Sequence, residues 1–130
     1  MPWYDERENI IGVILQINDI SKRLDQEIKF EKLESLLKDQ SEIAKVGTWE
    51  YDIDKEHLFW SDMTKKIHEV PNNFEPTIDN AINFYKQGHS RNTIAMLSHN
   101  GIHRGESWSE KLQLVTWEGH MKWVVAAGKP

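Results

Sequence analysis

The chain has 130 residues, room for one domain of ordinary size with a working core plus an appendage. Sixteen Lys and Arg against twenty-one Asp and Glu leave a net charge of −5, which argues against a nucleic-acid binder because neutralising phosphates needs a basic surface. The absence of cysteine excludes disulfides, thiolate metal sites and cysteine nucleophiles, and no apolar run approaches the roughly 18 residues of a membrane span. A cytoplasmic protein without direct membrane insertion is the expectation. The opening Met1-Pro2-Trp3-Tyr4 and the closing Gly128-Lys129-Pro130 read as the limits of a piece of a longer protein.

In chain order, Asn9 to Ile17 is rich in β-branched residues and predicts a strand too apolar to lie exposed, with Asp5 to Asn9 as the turn before it. From Ile20 to Lys45 there is no Gly or Pro, and Glu, Lys, Leu and Gln dominate, which predicts a long helix capped by Asp19 or Ser21. Its apolar positions form two sets, Ile20, Leu24 and Ile28, then Phe30, Leu33 and Leu37, about one residue out of phase. Two readings fit: a dimeric coiled coil with a local phase shift, or an amphipathic helix packed on its own domain.

Val46 to Trp60 predicts a hairpin. Trp49, Tyr51 and Ile53 alternate with Thr48, Glu50 and Asp52, and Asp54 to His57 supply the turn before Leu58-Phe59-Trp60. Ser61 or Asp62 caps a short helix through His68 that Pro71-Asn72-Asn73 stops. A second short helix is expected over Thr77 to Tyr85, where Ile78, Ala81, Ile82 and Tyr85 share a face. Gly88 to Arg91 opens a third that runs to about Ile102 and is weakened by Gly101 and Gly105. Ser107 to Trp117 and His120 to Ala127 alternate as two long strands about the Glu118-Gly119 turn. Trp108, Glu110, Leu112, Leu114 and Thr116 share one face of the first, and Met121, Trp123, Val125 and Ala127 one face of the second.

Chemistry-bearing motifs are sparse. His99 and His103 have the i, i+4 spacing of a metal pair but no carboxylate at helical spacing, so surface histidines are the plainer reading and no metal is expected. Ser35-Leu36-Leu37-Lys38 has a Ser-x-x-Lys form without companion motifs. No phosphate loop, paired carboxylates or His-Glu-x-x-His can be assembled, so the chain is not expected to be an enzyme.

Gly47-x-Trp49-Glu50-x-Asp52, Phe59-Trp60-Ser61-Asp62 and Gly119-x-x-Lys122-Trp123-Val124 together resemble the PAS sensor domain, in the branch opening with a Gly-x-Trp-x-x-Asp strand. The likeness covers about residues 46 to 130, although Lys111-x-Gln113 stands where the family has Glu-x-Arg. It implies an α+β fold, with an antiparallel five-stranded sheet, short helices on one face and a long N-terminal helix. Asn18-Asp19-Ile20 resembles the Asp-Ile-Thr end of such a domain, and Gly12 resembles the turn into its final strand. The resemblance therefore divides the chain into 1–19, the last strand of a preceding PAS domain; 20–45, a connecting helix; and 46–130, a PAS domain lacking its own last strand.

That last strand belongs in the middle of the sheet. An empty slot would expose two rows of unpaired backbone groups at about 1–3 kcal/mol for each one buried, so Ile10 to Ile17 is expected to occupy it, the competing reading being a flexible N-terminal tail beside a four-stranded sheet. A straight helix of ~39 Å does not bring the chain back to its start, which favours a strand exchanged between two subunits.

The aromatic residues Trp49, Tyr51, Trp60, Trp108 and Trp123, with Met96 and Leu97 opposite, are the candidate ligand pocket, and core filler is the competing reading. Without cysteine there is no LOV-type flavin adduct, and Thr93 to Leu97 offer no histidine for haem mid-helix, leaving only His89 and His99 formally open. The resemblance implies a sensory and relay module of a sensor histidine kinase or diguanylate cyclase. Adjacent PAS and output domains would be its partners, a small molecule its possible ligand, and Ile20, Leu24, Ile28, Leu33 and Leu37 the face of a homodimeric signalling helix. A structural dimerisation or spacer module without ligand is the alternative.

Overall fold

The computed structural model describes residues 9–17 and 43–130, in which the elements follow one another as β1 (Asn9–Ile17), β2 (Ile43–Asp52), β3 (His57–Trp60), α1 (Asp62–His68), α2 (Ile78–Asn83), α3 (His89–Arg104), β4 (Trp108–Val115) and β5 (Met121–Lys129). The strands form one antiparallel sheet in the order β3-β2-β1-β5-β4. β1 therefore takes the central lane, as its apolar sequence and the cost of an open lane predict. It pairs with β2 from Asn9 opposite Asp52 to Ile17 opposite Ile43, and with β5 from Ile11 opposite Lys129 to Gln16 opposite Val124.

The predicted helix over Ile20 to Lys45 is overruled at its end, because Ile43 to Lys45 are strand and pair with the end of β1. The remainder of that helix, with Ile20, Leu24, Ile28, Leu33 and Leu37, lies outside the described residues.

The two sheet faces differ. Ile10, Ile14, Tyr51, Leu58, Trp60, Trp108, Leu112, Leu114, Val124 and Ala126 form an inner face, over which Ile67 of α1, Ile78 and Ala81 of α2 and Ile94 and Leu97 of α3 pack. Leu15, Ile17, Val125 and Ala127 form a second cluster on the outer face with Val13, Val46 and Trp123, all strand residues.

Sequence chemistry accounts for the helix limits. Ser61 caps α1, its Oγ accepting from Thr64 N at 3.3 Å and from Thr48 N at 3.0 Å, while Thr64 Oγ1 donates to Thr48 O at 2.7 Å. The helix is thus clamped to β2 where Gly47 leaves no side chain in the way. Thr77 and Asn80 close a reciprocal capping box on α2, and Gly105, at φ 67°, ends α3 in the left-handed region. The outer edge of β4 is met by the chain after α2, where Val115 N donates to Phe84 O at 2.7 Å and Lys86 N to Gln113 O at 2.9 Å.

Gly12 lies inside β1, not in a turn ahead of the strand. A side chain there would overlap the carbonyl oxygen of Ala127 and the indole of Trp49, its cross-strand neighbour. In an ordinary strand interior Gly→Ala is stabilising by about 0.5–1 kcal/mol. Here the obstruction is backbone and a packed ring, so Gly12→Ala is expected to destabilise by about 3 kcal/mol. The midpoint of urea unfolding, with the denaturant slope unchanged, measures it.

Candidate functional site

Between the inner face and its helices lies a partly open cavity of about 70 Å³, lined among others by Trp49, Trp60, His68, Ser98, Trp108 and, from the central strand, Ile14. Three tryptophans reach it from three strands. Trp49 and Trp60 are directly opposite each other across the β2–β3 ladder, and Trp49 stacks on Trp108 with ring centroids 5.8 Å apart. Trp108 is seated between two glycines: a Cβ at Gly101 of α3 or Gly128 of β5 would overlap its ring. Its Nε1 is buried and has no acceptor. A site that leaves an indole donor unpaired carries a desolvation cost of about 1–3 kcal/mol, which a bound acceptor would relieve.

His68, at the end of α1, is 2 % exposed and stacks on Trp60 at 4.0 Å between centroids. Its Nδ1 lies 2.8 Å from the Thr64 carbonyl oxygen, which can only accept, so Nδ1 carries the proton and Nε2 is the acceptor nitrogen of a neutral ring. Burial, with the nearby Lys122 charge adding to it and the Thr64 bond opposing, lowers its pKa from 6.5 to about 4. Tyr85, which also lines the cavity, has its hydroxyl pKa raised by burial. No Lys, Arg, Asp or Glu lines the cavity. A charged occupant would lose hydration there with no counter-charge in exchange, so the chemistry suits a small neutral molecule.

Of the residues singled out by sequence, the structure brings Trp49, Trp60 and Trp108 to this cavity. Tyr51 and Leu97 sit in the same apolar cluster without lining it. Met96 is more than half exposed on α3. Trp123 lies on the opposite sheet face, where the Lys111 ammonium stands 4.7 Å from its ring centroid. Sequence reasoning missed Thr64, His68 and Ser98. The signal for His68 was its place four residues after Thr64 on the helix face that also carries Ile67.

A second polar cluster fixes α1 to the β4–β5 turn. Glu69, in the left-handed region at φ 60°, accepts through Oε1 from Thr116 Oγ1 at 2.6 Å and from His120 Nδ1 at 2.8 Å, and its Oε2 lies 3.3 Å from Lys122 Nζ. Lys122 also donates to Ile67 O at 3.0 Å, and Trp117 N to His68 O at 2.9 Å. Glu69, Glu118 and His120 have the mutual spacing of a metal-binding group, but Glu69 is already engaged by three donors, one of them a lysine. His99 and His103, the spaced pair of the sequence, have ring centroids 4.3 Å apart on α3.

The Thr116 hydroxyl foremost, then His120 and Lys122, hold the Glu69 carboxyl at about 2 against an ordinary 4.5, although partial burial opposes them. The native state resists protonation that the unfolded chain accepts, so this contribution is complete above pH 4.5 and is lost as the pH falls toward 2. Glu69→Gln should flatten the stability profile in that window, as read from urea midpoints at pH 5, 4 and 3. An unchanged slope would show that the contacts do not favour the charged form.

The sequence matches no protein-family model and no curated protein.

Proposed function

We propose that this chain is a sensory and relay module of the PAS type within a larger cytoplasmic signalling protein, of the sensor histidine kinase or diguanylate cyclase kind. The lane order of the sheet supports the reading. β1 runs between β2 and β5, Ile14 of β1 lines the tryptophan cavity, and both β1 and β2 lead directly into the segment from 18 to 42. An occupant of the cavity, or a neighbouring domain pressing on it, acts on the two strands from which that segment departs. Residues 18 to 42 would carry the change onward through a dimer using Ile20, Leu24, Ile28, Leu33 and Leu37, with β1 exchanged between subunits as one form of that dimer. The ligand would be a small neutral molecule. Flavin-adduct chemistry has no cysteine to use, and the histidine in the cavity is held neutral against Thr64 and Trp60.

A structural spacer without ligand is the second reading, favoured by the small volume of the cavity, about 70 Å³. Native mass spectrometry separates the two: a retained mass beyond the polypeptide supports the sensor, and its absence from protein purified without denaturation supports the spacer. Sedimentation of Leu33→Glu/Leu37→Glu tests the relay. Monomers from a dimeric parent support it, and a parent that is itself monomeric removes it.

A further inference from the structure

We infer that the occupant of the tryptophan cavity is a small neutral alcohol whose hydroxyl donates to His68 Nε2, an assignment that rests on the sensory reading above and gives its ligand a chemical class. The His68 ring is buried and held on three sides. One face lies on Trp60, Phe84 meets it at a steep angle with centroids 5.1 Å apart, and Nδ1 donates to Thr64 O at 2.8 Å. With the proton on Nδ1, Nε2 carries a lone pair, and among the described residues no donor reaches it. The Nδ1 bond ties one edge of the ring back to α1, which turns the Nε2 edge away from that helix, and the ring is part of the cavity wall. A buried acceptor without a partner is unfavourable, and an occupant that donates to it removes the penalty.

The rest of the wall decides which kind of donor fits. Thr64 Oγ1 already donates to Thr48 O at 2.7 Å, so it offers the occupant no proton. Tyr85 and Ser98 add hydroxyls, neither of them hydrogen-bonded among the described residues, that can donate to an oxygen of the occupant. Ile14, Leu58, Ile94 and Ala126, with the indole faces of Trp49 and Trp108, make the remainder apolar. One hydroxyl on a short hydrocarbon body matches this set: it gives a proton to Nε2, accepts at its oxygen and covers the apolar wall.

Other neutral molecules fit less well. A ketone or an ether leaves Nε2 unpaired. A hydrocarbon leaves both Nε2 and the hydroxyls unpaired. Water satisfies the polar groups but forgoes contact with the indoles and aliphatic side chains. A primary amide brings a second N–H and a strongly hydrated carbonyl, whose desolvation a largely apolar wall repays poorly.

The test compares 2-propanol with acetone, which have nearly the same size and shape although only the alcohol can donate. Each is titrated at pH 7.5 into the full 15N-labelled chain, and NMR follows the amides of Ile14 and Ser98 together with the His68 ring nitrogens, assigned through bonds from its own amide. 2-Propanol is expected to shift the amides and to move the Nε2 signal upfield, as an acceptor nitrogen does on receiving a hydrogen bond. Acetone is expected to bind roughly tenfold or more weakly and to leave Nε2 where it was. In His68→Phe the preference for the alcohol should vanish; if that variant does not fold, the Nε2 signal of the parent decides alone. Equal affinity for the two probes with Nε2 unmoved would overturn the alcohol while leaving a ligand cavity and the sensory reading in place. Tighter binding of acetone would place the selectivity at a donor such as Trp108 Nε1 and would overturn it as well. No shift at the cavity amides with either probe would overturn the alcohol and the ligand of the sensory reading together.

Discussion

A chain starting at residue 18 is expected to lose cooperative folding. β1 supplies Ile10, Ile14 and Leu15, each essentially without exposed surface, and pairs along its length with strands on both sides. At about 1.5–3 kcal/mol for each buried side chain, those three alone contribute about 5–9 kcal/mol, comparable with the whole ~5–15 kcal/mol stability of a typical domain. Deletion also leaves facing rows of N–H and C=O groups on β2 and β5 with no partner. The near-ultraviolet circular dichroism of the remaining tryptophans should collapse and thermal melting should broaden. A synthetic peptide of residues 8 to 18 added in trans should restore a cooperative melt in proportion to its concentration, because the lane is defined by its two neighbours. A truncated chain melting as sharply and as high as the parent would refute the structural importance of the strand.

The second large effect is acid sensitivity set by His68. The native ring is held neutral by burial, with a pKa near 4 against 6.5 in the unfolded chain. As the pH falls through 6.5 the unfolded state takes up a proton that the native state refuses. Stability is therefore complete above pH 6.5 and declines until about pH 4, where the native ring is protonated too. At ~1.4 kcal/mol per pK unit the loss is about 3 kcal/mol. This window lies above the one assigned to Glu69, so the two groups are separable. His68→Phe, which keeps an aromatic ring against Trp60, should abolish the decline between pH 6.5 and 4 and leave the lower window intact. Equal slopes in parent and variant across pH 6.5 to 4 would show that another group governs it.

Much of this architecture was legible in the sequence, and the reasons differ by element. The hairpin from Val46 to Trp60 and the strand pair about Gly119 announce themselves through alternation, and the helices through Ser61, Thr77 and Gly105 at their ends. The central place of β1 followed from the resemblance to PAS domains, which puts the missing strand in the middle lane, together with the cost of leaving that lane empty. The start of β2 did not show, because Ile43-Ala44-Lys45 carries no breaker and fits a helix by propensity. Pairing with β1 decides it.

The site was half legible. Alternation put Trp49 on the inner face, but both faces of β5 are apolar, with Trp123 and Val125 on one and Val124 and Ala126 on the other. Only the packing of α1 and α3 on Val124 and Ala126 reveals which face is inner, and it leaves Trp123 outside. Met96 and Leu97 are adjacent on one helix and cannot both face the sheet; Ile94 and Gly101 mark the side that does. The spacing of His68 from Thr64 marks a helix face but not the burial of the ring, because a buried neutral imidazole also needs Trp60, from another element, to stack on.

The strap of chain from Phe84 to Lys86 along β4 bears on how copies of this protein meet at high concentration. Its hydrogen bonds occupy Gln113 and Val115, and Ser90 Oγ accepts from Gln113 N at 2.9 Å, so the far half of that margin has no free ladder to offer a stranger. The opposite margin is β3, only four residues long and carrying the charged neighbour Glu56 at its start. Polymerisation by sheet extension, the usual route from β-rich domains to fibrils, is thus hindered along the strapped half of β4 and finds only a four-residue ladder on β3.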